Sequence, residues 1–391
     1  MLAQRMNHIE GSGVRKIFEL VATLEDPINL SIGQAHFEAP EEVKEAAIRA
    51  IREGANRYTV TEGLAELNRA TLERLEKDHG HRPESILMTS GVSGGLLLSA
   101  LALIDPGDEV LVPDPFFVMY KNVLALVGGK AVYYDTYPRG DGPRGDGPRG
   151  DGPASGGTRA AWHPDLDELQ SLVSSKTKAI LLNSPSNPTG GALSEKELDG
   201  IGEIARSQGA WIVSDEIYSS FVYERPHASM IPRMKRMDRC IVLGGFSKTY
   251  GVPGWRLGYA VGPRQVIDAM KLLQQYTFVC CPSPLQHGAL AALDLDMSWI
   301  RAEYRQKRDR VVAGLEGCYE LTPSEGSFYA FPSYPERVSE EDFVAACFER
   351  KLLIVPGSAF SRRATHFRLS FAAPDEMLDA GLAVLREIAA G

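Results

Sequence analysis

The sequence predicts an α/β fold in which a mostly parallel sheet is covered by helices on both faces, together with a smaller α+β domain. At 391 residues and 42.7 kDa the chain is too long for one ordinary domain. Short apolar runs alternate with helix-length stretches, a pattern typical of parallel strands buried on both faces. The predicted strands lie at residues 86–88, 110–112, 131–134, 179–182, 211–213, 241–243 and 259–261.

The remaining segments follow from helix and loop signals. Residues 5–25 have the pattern of one helix, and the acidic residues after Pro40 begin another that Gly54 ends. Residues 139–153 are three copies of Arg-Gly-Asp-Gly-Pro, and glycine and proline at this density cannot build a core. We therefore expect a flexible loop over 139–157. Its Arg-Gly-Asp triplets could suggest binding to an adhesion receptor, but a solvated loop is the simpler interpretation.

These elements predict three parts of the chain. Residues 1–45 form an N-terminal arm and part of the small domain, residues 46–281 form the large domain, and residues 282–391 form the small C-terminal domain. The net charge of −9 argues against nucleic acid as a partner. No apolar run approaches the roughly 20 residues of a membrane-spanning helix, so we expect a cytoplasmic protein. Five cysteines without a CxxC pair make a metal site improbable.

Residues 244–259, GGFSKTYGVPGWRLGY, place one lysine in an unusual setting. A predicted buried strand leads into it, and glycines lie on both sides of Lys248. Lysine amines become nucleophiles when desolvation or a neighbouring cation lowers their pKa from about 10.4, and Schiff-base chemistry with pyridoxal phosphate is the common use. Arg256 would suit a phosphate. The alternative is an ordinary surface lysine and arginine around a glycine-rich turn.

Other candidate residues follow the predicted strands or interrupt apolar patterns. The small-residue turn at 89–95 leads into a helix, whose N-terminal amides can bind an anion. Asn187 lies in a turn rich in proline and glycine, which fixes its side chain. Asp215 ends a buried strand, where an unpaired acid is costly. Arg368 lies between Phe367 and Leu369, so a half-buried guanidinium needs a carboxylate partner. An edge-strand arginine paired with a surface acid is the alternative.

Together these segments resemble the motifs of class I/II aminotransferases, the fold-type-I pyridoxal-phosphate enzymes. The resemblance covers almost the whole chain, and six motifs occur in the family's order. They are YTVTEGLAEL from Tyr58, TSGVSGG at 89–95, PDPFF at 113–117, NPTG from Asn187, DEIY from Asp215, and SK with GWRLGY from Ser247.

The resemblance implies a role for each cofactor-binding residue. Lys248 would form the Schiff base with pyridoxal phosphate and move the substrate proton. Asp215 would pair with the pyridine nitrogen, while Asn187 and Tyr218 would bond the phenolic oxygen. Phe117 would stack on the ring, although an aromatic there could simply be core. The phosphate would be held by Val92, Ser93, Ser247, Arg256 and Tyr58 of the neighbouring subunit. Taken alone, Tyr58 could also be an ordinary helix-flanking aromatic.

The resemblance also implies that Arg368, Asn187 and the backbone of Gly33 bind the substrate carboxylate. Three positions depart from the common family pattern. Gly245 replaces a serine three residues before the lysine, Ser93 stands where some members have lysine, and 33–37 reads GQAHF instead of GEPDF. The last two bear on whether the substrate side chain is acidic.

We therefore predict an aminotransferase that moves an amino group from an L-amino acid to a 2-oxo acid through a Lys248 Schiff base. The donor could be aspartate, an aromatic or another neutral amino acid. The shared site implies a homodimer. A carbon–sulfur β-lyase or related pyridoxal-phosphate enzyme is the first alternative, and a non-catalytic effector-sensing domain is the second.

Overall fold

The computed structural model describes residues 2–9, 11, 24–138, 161–336 and 338–390. The predicted loop over 139–157 and most of the predicted helix over 5–25 lie outside these residues. In the described part of the latter stretch, Gln4–His8 forms a 3-10 helix and Ile9 is extended. The prediction of one continuous helix there is therefore wrong.

The described residues form strands and helices in the alternation that the sequence predicts. The strands are β1 Ile28–Asn29, β2 Ser85–Thr89, β3 Glu109–Asp114, β4 Lys130–Asp135, β5 Thr177–Asn183, β6 Trp211–Asp215, β7 Cys240–Gly245, β8 Gly258–Gly262, β9 Tyr329–Ala330, β10 Leu352–Leu353, β11 Val355–Pro356 and β12 Phe367–Ser370. The helices are α1 Glu41–Arg52, α2 Ala65–His79, α3 Gly91–Leu103, α4 Met119–Val127, α5 Leu166–Leu172, α6 Glu195–Gln208, α7 Arg264–Gln275, α8 Ser283–Ala292, α9 Trp299–Leu315, α10 Glu340–Glu349 and α11 Asp375–Ala390.

The large sheet has seven strands in the order β2-β8-β7-β6-β5-β3-β4. Strands β3 to β7 pair in parallel, and β8 is antiparallel to both of its neighbours, β2 and β7. Every apolar run predicted as a strand lies in one of these seven, so the α/β fold class is confirmed. The register sets Asn183 beside Asp215 and Asp215 beside Leu243. The carboxyl ends of β5, β6 and β7 therefore meet at one edge of the sheet.

The apolar runs are continuous because both faces of the sheet are covered. In β5, Ile180 and Leu182 belong to one core cluster, whereas Ala179 and Leu181 belong to the cluster on the opposite face. Successive side chains of a strand point to opposite faces, and burying each large aliphatic side chain contributes about 1.5–3 kcal/mol. Polar residues at every second position would remove that contribution on one face of the sheet.

A smaller unit packs against the carboxyl edge of the large sheet. It contains the three-stranded sheet β11-β12-β9, the β1-β10 pair, and helices α9, α10 and α11. Its core includes Leu30, Tyr304, Phe343, Phe367 and Leu378, which are all buried. Among the described residues, no helix has both the length and the apolar content needed to cross a membrane.

The packing bears on where the two domains divide. Val43 of α1 and Ala289 and Ala292 of α8 lie in the same core cluster as Leu67 of α2. Helix α8, which we assign from the sequence to the small domain, therefore packs with the large one. The division at 45/46 and 281/282 stays a prediction, and this packing favours a later C-terminal boundary, after Ala292.

Candidate active site

A cavity of about 360 Å³ lies at the carboxyl edge of the large sheet, where the smaller unit covers it. Its walls come from the turns that follow the strands and from the smaller unit. The predicted site residues on its walls are Gly33, Val92, Ser93, Phe117, Asn187, Asp215, Tyr218, Ser247, Lys248, Arg256 and Arg368. The structure thus brings together every predicted site residue except Tyr58, whose side chain is 86% exposed outside the cavity.

Lys248 follows β7, which ends in two glycines. A Cβ atom at Gly244 would lie 2.4 Å from the ring of Tyr259, so a larger residue there would require that ring to move. The lysine amine donates a hydrogen bond to the carbonyl oxygen of Gly33 and lies 5.8 Å from the centres of the Tyr218 and Phe328 rings. Burial, together with the charges of Arg368 and Arg256, lowers the pKa of Lys248 to about 8, although the charge of Asp215 opposes this.

Asp215 is the last residue of β6 and is 5% exposed. Its carboxylate accepts hydrogen bonds from the Tyr120 hydroxyl at 2.9 Å and from the backbone amide of Ile217 at 3.2 Å. Burial raises the pKa of Asp215 to about 6, although the bond from Tyr120 opposes the rise. A cationic hydrogen-bond donor in the cavity would hold this carboxylate ionised.

Asn187 is fixed by the neighbouring strand end. Its backbone amide donates to Oδ1 of Asn183 at 2.8 Å, and the side-chain amide of Asn183 donates to the Asp215 carbonyl at 3.2 Å. The turn that carries Asn187 is therefore tied to β6. The side-chain oxygen of Asn187 accepts a hydrogen bond from Arg368 at 2.9 Å.

Arg368, on β12, is 2% exposed and has no carboxylate partner among the described residues. One terminal nitrogen bonds Asn187, and the other donates to the Ser31 carbonyl at 2.7 Å. The rings of Tyr329 and Phe360 lie 4.4 and 4.7 Å from the guanidinium carbon, and Nε has no hydrogen-bond partner. A buried cation with only neutral acceptors is costly, so the arrangement favours a carboxylate ligand.

The turn before α3 and the segment before β8 form the other end of the cavity. Backbone amides at the start of α3, including those of Val92 and Ser93, lie at the positive end of the helix dipole. Arg256 has a left-handed backbone with φ 51°, and a Cβ at Gly91 would lie 2.8 Å from its guanidinium. Helix amides beside an arginine form a site suited to a phosphate.

The two phenylalanines of the PDPFF motif differ in the structure. Phe117 lines the cavity, whereas Phe116 is 2% exposed and packs against Tyr133 in the core. The hydroxyl of Tyr218 lies 2.9 Å from that of Tyr329. Both Tyr218 and Phe117 line the cavity.

Sequence reasoning assigned no role to Tyr120, Tyr329, Asn183 or Ser31, which all contact predicted site residues. One signal was available for Tyr120, because it lies only three residues after Phe117, in the first turn of α4. The sequence carries no comparable signal for Tyr329 or Ser31, since their partners lie far away along the chain.

A lysine amine with a lowered pKa and a buried carboxylate share this cavity with a phosphate-type site. That combination is typical of enzymes that act on amino compounds through pyridoxal phosphate. The site therefore indicates this class of protein.

Comparison with known proteins gives the family. The sequence profile of the family "Aminotransferase class I and II" matches residues 25–385, and the chain belongs to this family. It is 34% identical over 400 residues to the probable aspartate aminotransferase of Methanocaldococcus jannaschii, covering 99% of this chain and 100% of that protein. It is 32% identical to aromatic-amino-acid aminotransferase 2 of Thermococcus litoralis, covering 97% and 95%.

Solved structures agree with the sequence comparison. The aspartate aminotransferase of Thermotoga maritima has a TM-score of 0.89 and 30% identity, covering 100% of both chains. The chain is therefore an aminotransferase, and the predicted fold type and reaction class are confirmed. Enzymes of this family use pyridoxal phosphate. The roles of the individual site residues stay predictions.

Proposed function

We propose that this chain binds pyridoxal phosphate in the cavity and transfers the amino group of an L-amino acid to a 2-oxo acid. The observation that carries the proposal is the placement of Lys248, Asp215 and Arg368 on the walls of one cavity. The donor is aspartate, an aromatic or another neutral amino acid, since similar proteins bear both aspartate and aromatic names.

The residues present fit the cofactor. The start of α3, together with Ser247 and Arg256, would hold the phosphate. Asp215 is a buried acceptor with room for one more donor, which suits a protonated pyridine nitrogen. Asn187 and Tyr218 would bond the phenolic oxygen, and Phe117 would cover the ring. When bound, pyridoxal phosphate supplies an aldehyde for the amine and a ring that withdraws electrons from the substrate's α-carbon.

Lys248 would both hold the cofactor and move a proton. An amine with a pKa of about 8 is partly unprotonated near neutral pH and is therefore a usable nucleophile and base. Its hydrogen bond to Gly33 directs the amine towards the segment that we expect to contact the substrate. Neighbouring aromatic rings and Arg368 restrict water around it.

Arg368 would bind the α-carboxylate of both substrates. A planar guanidinium can pair with both oxygens of a carboxylate, which fixes the orientation of the α-carbon. Asn187 and the Ser31 carbonyl hold the guanidinium in place before substrate arrives. The Arg368 side chain is therefore already oriented, and substrate binding does not have to order it.

We also propose a homodimer in the cytoplasm. Tyr58 and Val60 are 86% and 60% exposed, and Tyr276 at the end of α7 is 83% exposed. Gln274 holds the two segments that carry these side chains together, because it donates a hydrogen bond to the Thr61 carbonyl at 2.8 Å. Such a surface supports burial against a second subunit, where Tyr58 would reach the partner's phosphate.

The test is spectroscopic and uses purified protein loaded with pyridoxal phosphate. Single L-amino acids are added in turn, starting with aspartate, phenylalanine and tyrosine. Transfer predicts loss of the visible cofactor absorbance with one equivalent of 2-oxo acid formed, and 2-oxoglutarate then restores the absorbance. Release of pyruvate or ammonia without that cycle would contradict transfer and indicate the β-lyase alternative.

A further inference from the structure

Outside the cavity, one histidine bridges two carboxylates. His163 Nδ1 lies 2.6 Å from Glu197 at the start of α6, and Nε2 lies 2.5 Å from Glu325 in the segment before β9. The three side chains are 22%, 18% and 35% exposed. Since Glu325 belongs to the smaller unit, the bridge links the two units of the molecule.

Glu325 holds the turn that carries Asn187. Its carboxylate also accepts a hydrogen bond from the Ala192 amide at 3.1 Å. The backbone amides of Glu325 and Gly326 both donate to the Gly190 carbonyl, at 3.0 and 2.9 Å. The far side of the NPTG turn is thereby bonded by two consecutive residues, Glu325 and Gly326.

Glu325 also begins the segment that carries Tyr329. The Glu325 carbonyl accepts from the Tyr223 amide at 3.0 Å, and the Ser324 hydroxyl donates to the Tyr329 carbonyl. Besides Ser31 and Phe360, the Arg368 side chain contacts Asn187 and Tyr329, which belong to different chain segments. Both therefore depend on the place of Glu325.

The charges explain why the bridge is needed. Burial lowers the pKa of His163, but the hydrogen bonds that its ring donates to Glu197 and Glu325, with the charges of these carboxylates, outweigh burial and raise the pKa to about 9. At neutral pH the ring is a cation that donates two bonds. Arg225 is another charged group near Glu325. One of its terminal nitrogens donates hydrogen bonds to the carbonyls of Ala192 and Leu193. Without His163, two half-buried carboxylates would lose their shared partner.

We propose that His163 is a positioning residue for recognition of the substrate carboxylate. By fixing Glu325 it sets Asn187 and Tyr329 against Arg368, although it contacts neither substrate nor cofactor. The inference rests on the proposed function, because it concerns the same carboxylate site. It places a positioning residue about two layers of contacts from the carboxylate site.

The test compares wild-type holoenzyme with His163→Gln. The two substrates are 2-oxoglutarate and whichever of L-aspartate and L-phenylalanine the wild-type enzyme converts faster. We expect KM for both substrates to rise by about 5- to 20-fold, with kcat within about 2-fold and unchanged affinity for pyridoxal phosphate. A merely structural loss would lower kcat or cofactor affinity instead. Glu325→Gln should raise KM similarly, and the double variant should be no worse than either single one.

The pH profile gives a second readout. With 2-oxoglutarate and the amino form of the enzyme, the advantage of wild type over His163→Gln in KM should shrink as pH rises through about 9. His227→Gln is the matched control, because His227 is also buried against one carboxylate, Glu216, but bonds no part of the 324–329 segment. It should leave KM unchanged.

Two outcomes would overturn the proposal. One is a folded His163→Gln enzyme with wild-type KM, and the other is a difference in KM that does not vary with pH. If His163→Gln does not fold, Glu325→Gln carries the test, because its amide oxygen can still accept from Ala192. A wild-type enzyme inactive with every amino acid would instead refute the proposed transamination itself.

Discussion

Burial acts in opposite directions on the two central ionisable groups of the cavity. It lowers the pKa of the Lys248 amine to about 8 and raises that of the Asp215 carboxyl to about 6. In both cases the uncharged form is favoured, because a buried charge is poorly solvated. The cavity therefore suits a ligand whose charged groups pair with these residues. Three substitutions test the roles assigned to the cavity residues.

Replacing Lys248 with alanine should abolish catalysis. The change removes the amine that would hold the cofactor and move the proton, so kcat should fall by about 10,000-fold or more and the visible cofactor absorbance should be lost. Spectra and initial rates measure both effects. Lys44→Ala, which removes a surface amine paired with Glu41, should change neither. A Lys248→Ala protein that kept absorbance and activity would refute the assignment.

Replacing Arg368 with lysine should spare the cofactor and weaken the substrate. Lysine keeps the charge but cannot pair with both carboxylate oxygens, so we expect KM to rise by about 100-fold. The visible absorbance of the loaded enzyme should be unchanged. Arg362→Lys is the control, since Arg362 is 65% exposed and pairs with Asp114. Equal KM values for wild type and Arg368→Lys would exclude the proposed carboxylate site.

Replacing Tyr120 with phenylalanine should raise the pKa of Asp215. The Tyr120 hydroxyl donates to the ionised carboxylate and so lowers its pKa, and its removal has the opposite effect. Because the ionised form is the one required, activity should be lost at a higher pH on the acid side. We expect kcat to fall about 10-fold at neutral pH. An acid limb that stays in place would show that Asp215 does not control it.

How far the sequence predicts these residues depends on their partners. Lys248, Asp215 and Asn187 each follow a strand, so the carboxyl edge of the sheet could be expected to collect them. Tyr120 and Tyr329 were assigned no role because they bond Asp215 and Tyr218, which lie 95 and 111 positions away. No local pattern marks such a pair.

At the level of elements, the strands of the large sheet and β12 are predictable, whereas the two-residue strands of the smaller unit are not. Burial on both faces produces continuous apolar runs of the kind seen in β5 and β7. Strands such as β9 and β10 have two residues each, too few for any periodicity to show. Their pairing is decided by contacts with distant segments.

The His163 bridge should also make stability depend on pH. The folded-state pKa of about 9 lies above the ordinary value of 6.5, so the stabilisation is full below about pH 6.5 and is lost as pH rises through about 9. We expect about 2 kcal/mol in all. The difference in Tm between wild type and His163→Gln should therefore be largest near pH 6 and vanish near pH 10. A constant difference would contradict the bridge.

For the whole molecule, the exposure of Tyr58 predicts that two subunits share each site. Lys248→Ala and Tyr58→Ala proteins should each be nearly inactive alone. In a hybrid dimer, one site combines Lys248 of one subunit with Tyr58 of the other and is intact. Co-refolding equal amounts should recover about one quarter of wild-type kcat. Lys248→Ala refolded with Arg368→Ala, where both changes affect a subunit's own cavity, should recover nothing. Equal recovery in both mixtures would exclude sharing.

Gly91 and Arg256 lie far apart along the chain, but they are in contact in the fold. The space between them restricts which side chains can occupy either position. A Cβ at Gly91 would meet the guanidinium, and a Cβ at Gly258 would lie 2.8 and 2.9 Å from backbone atoms of Gly91 and Val92. The two glycines and the left-handed arginine therefore form a single steric unit. A library that randomises either segment alone would contain few active members, whereas one that varies both segments together could find new ways to hold an anion.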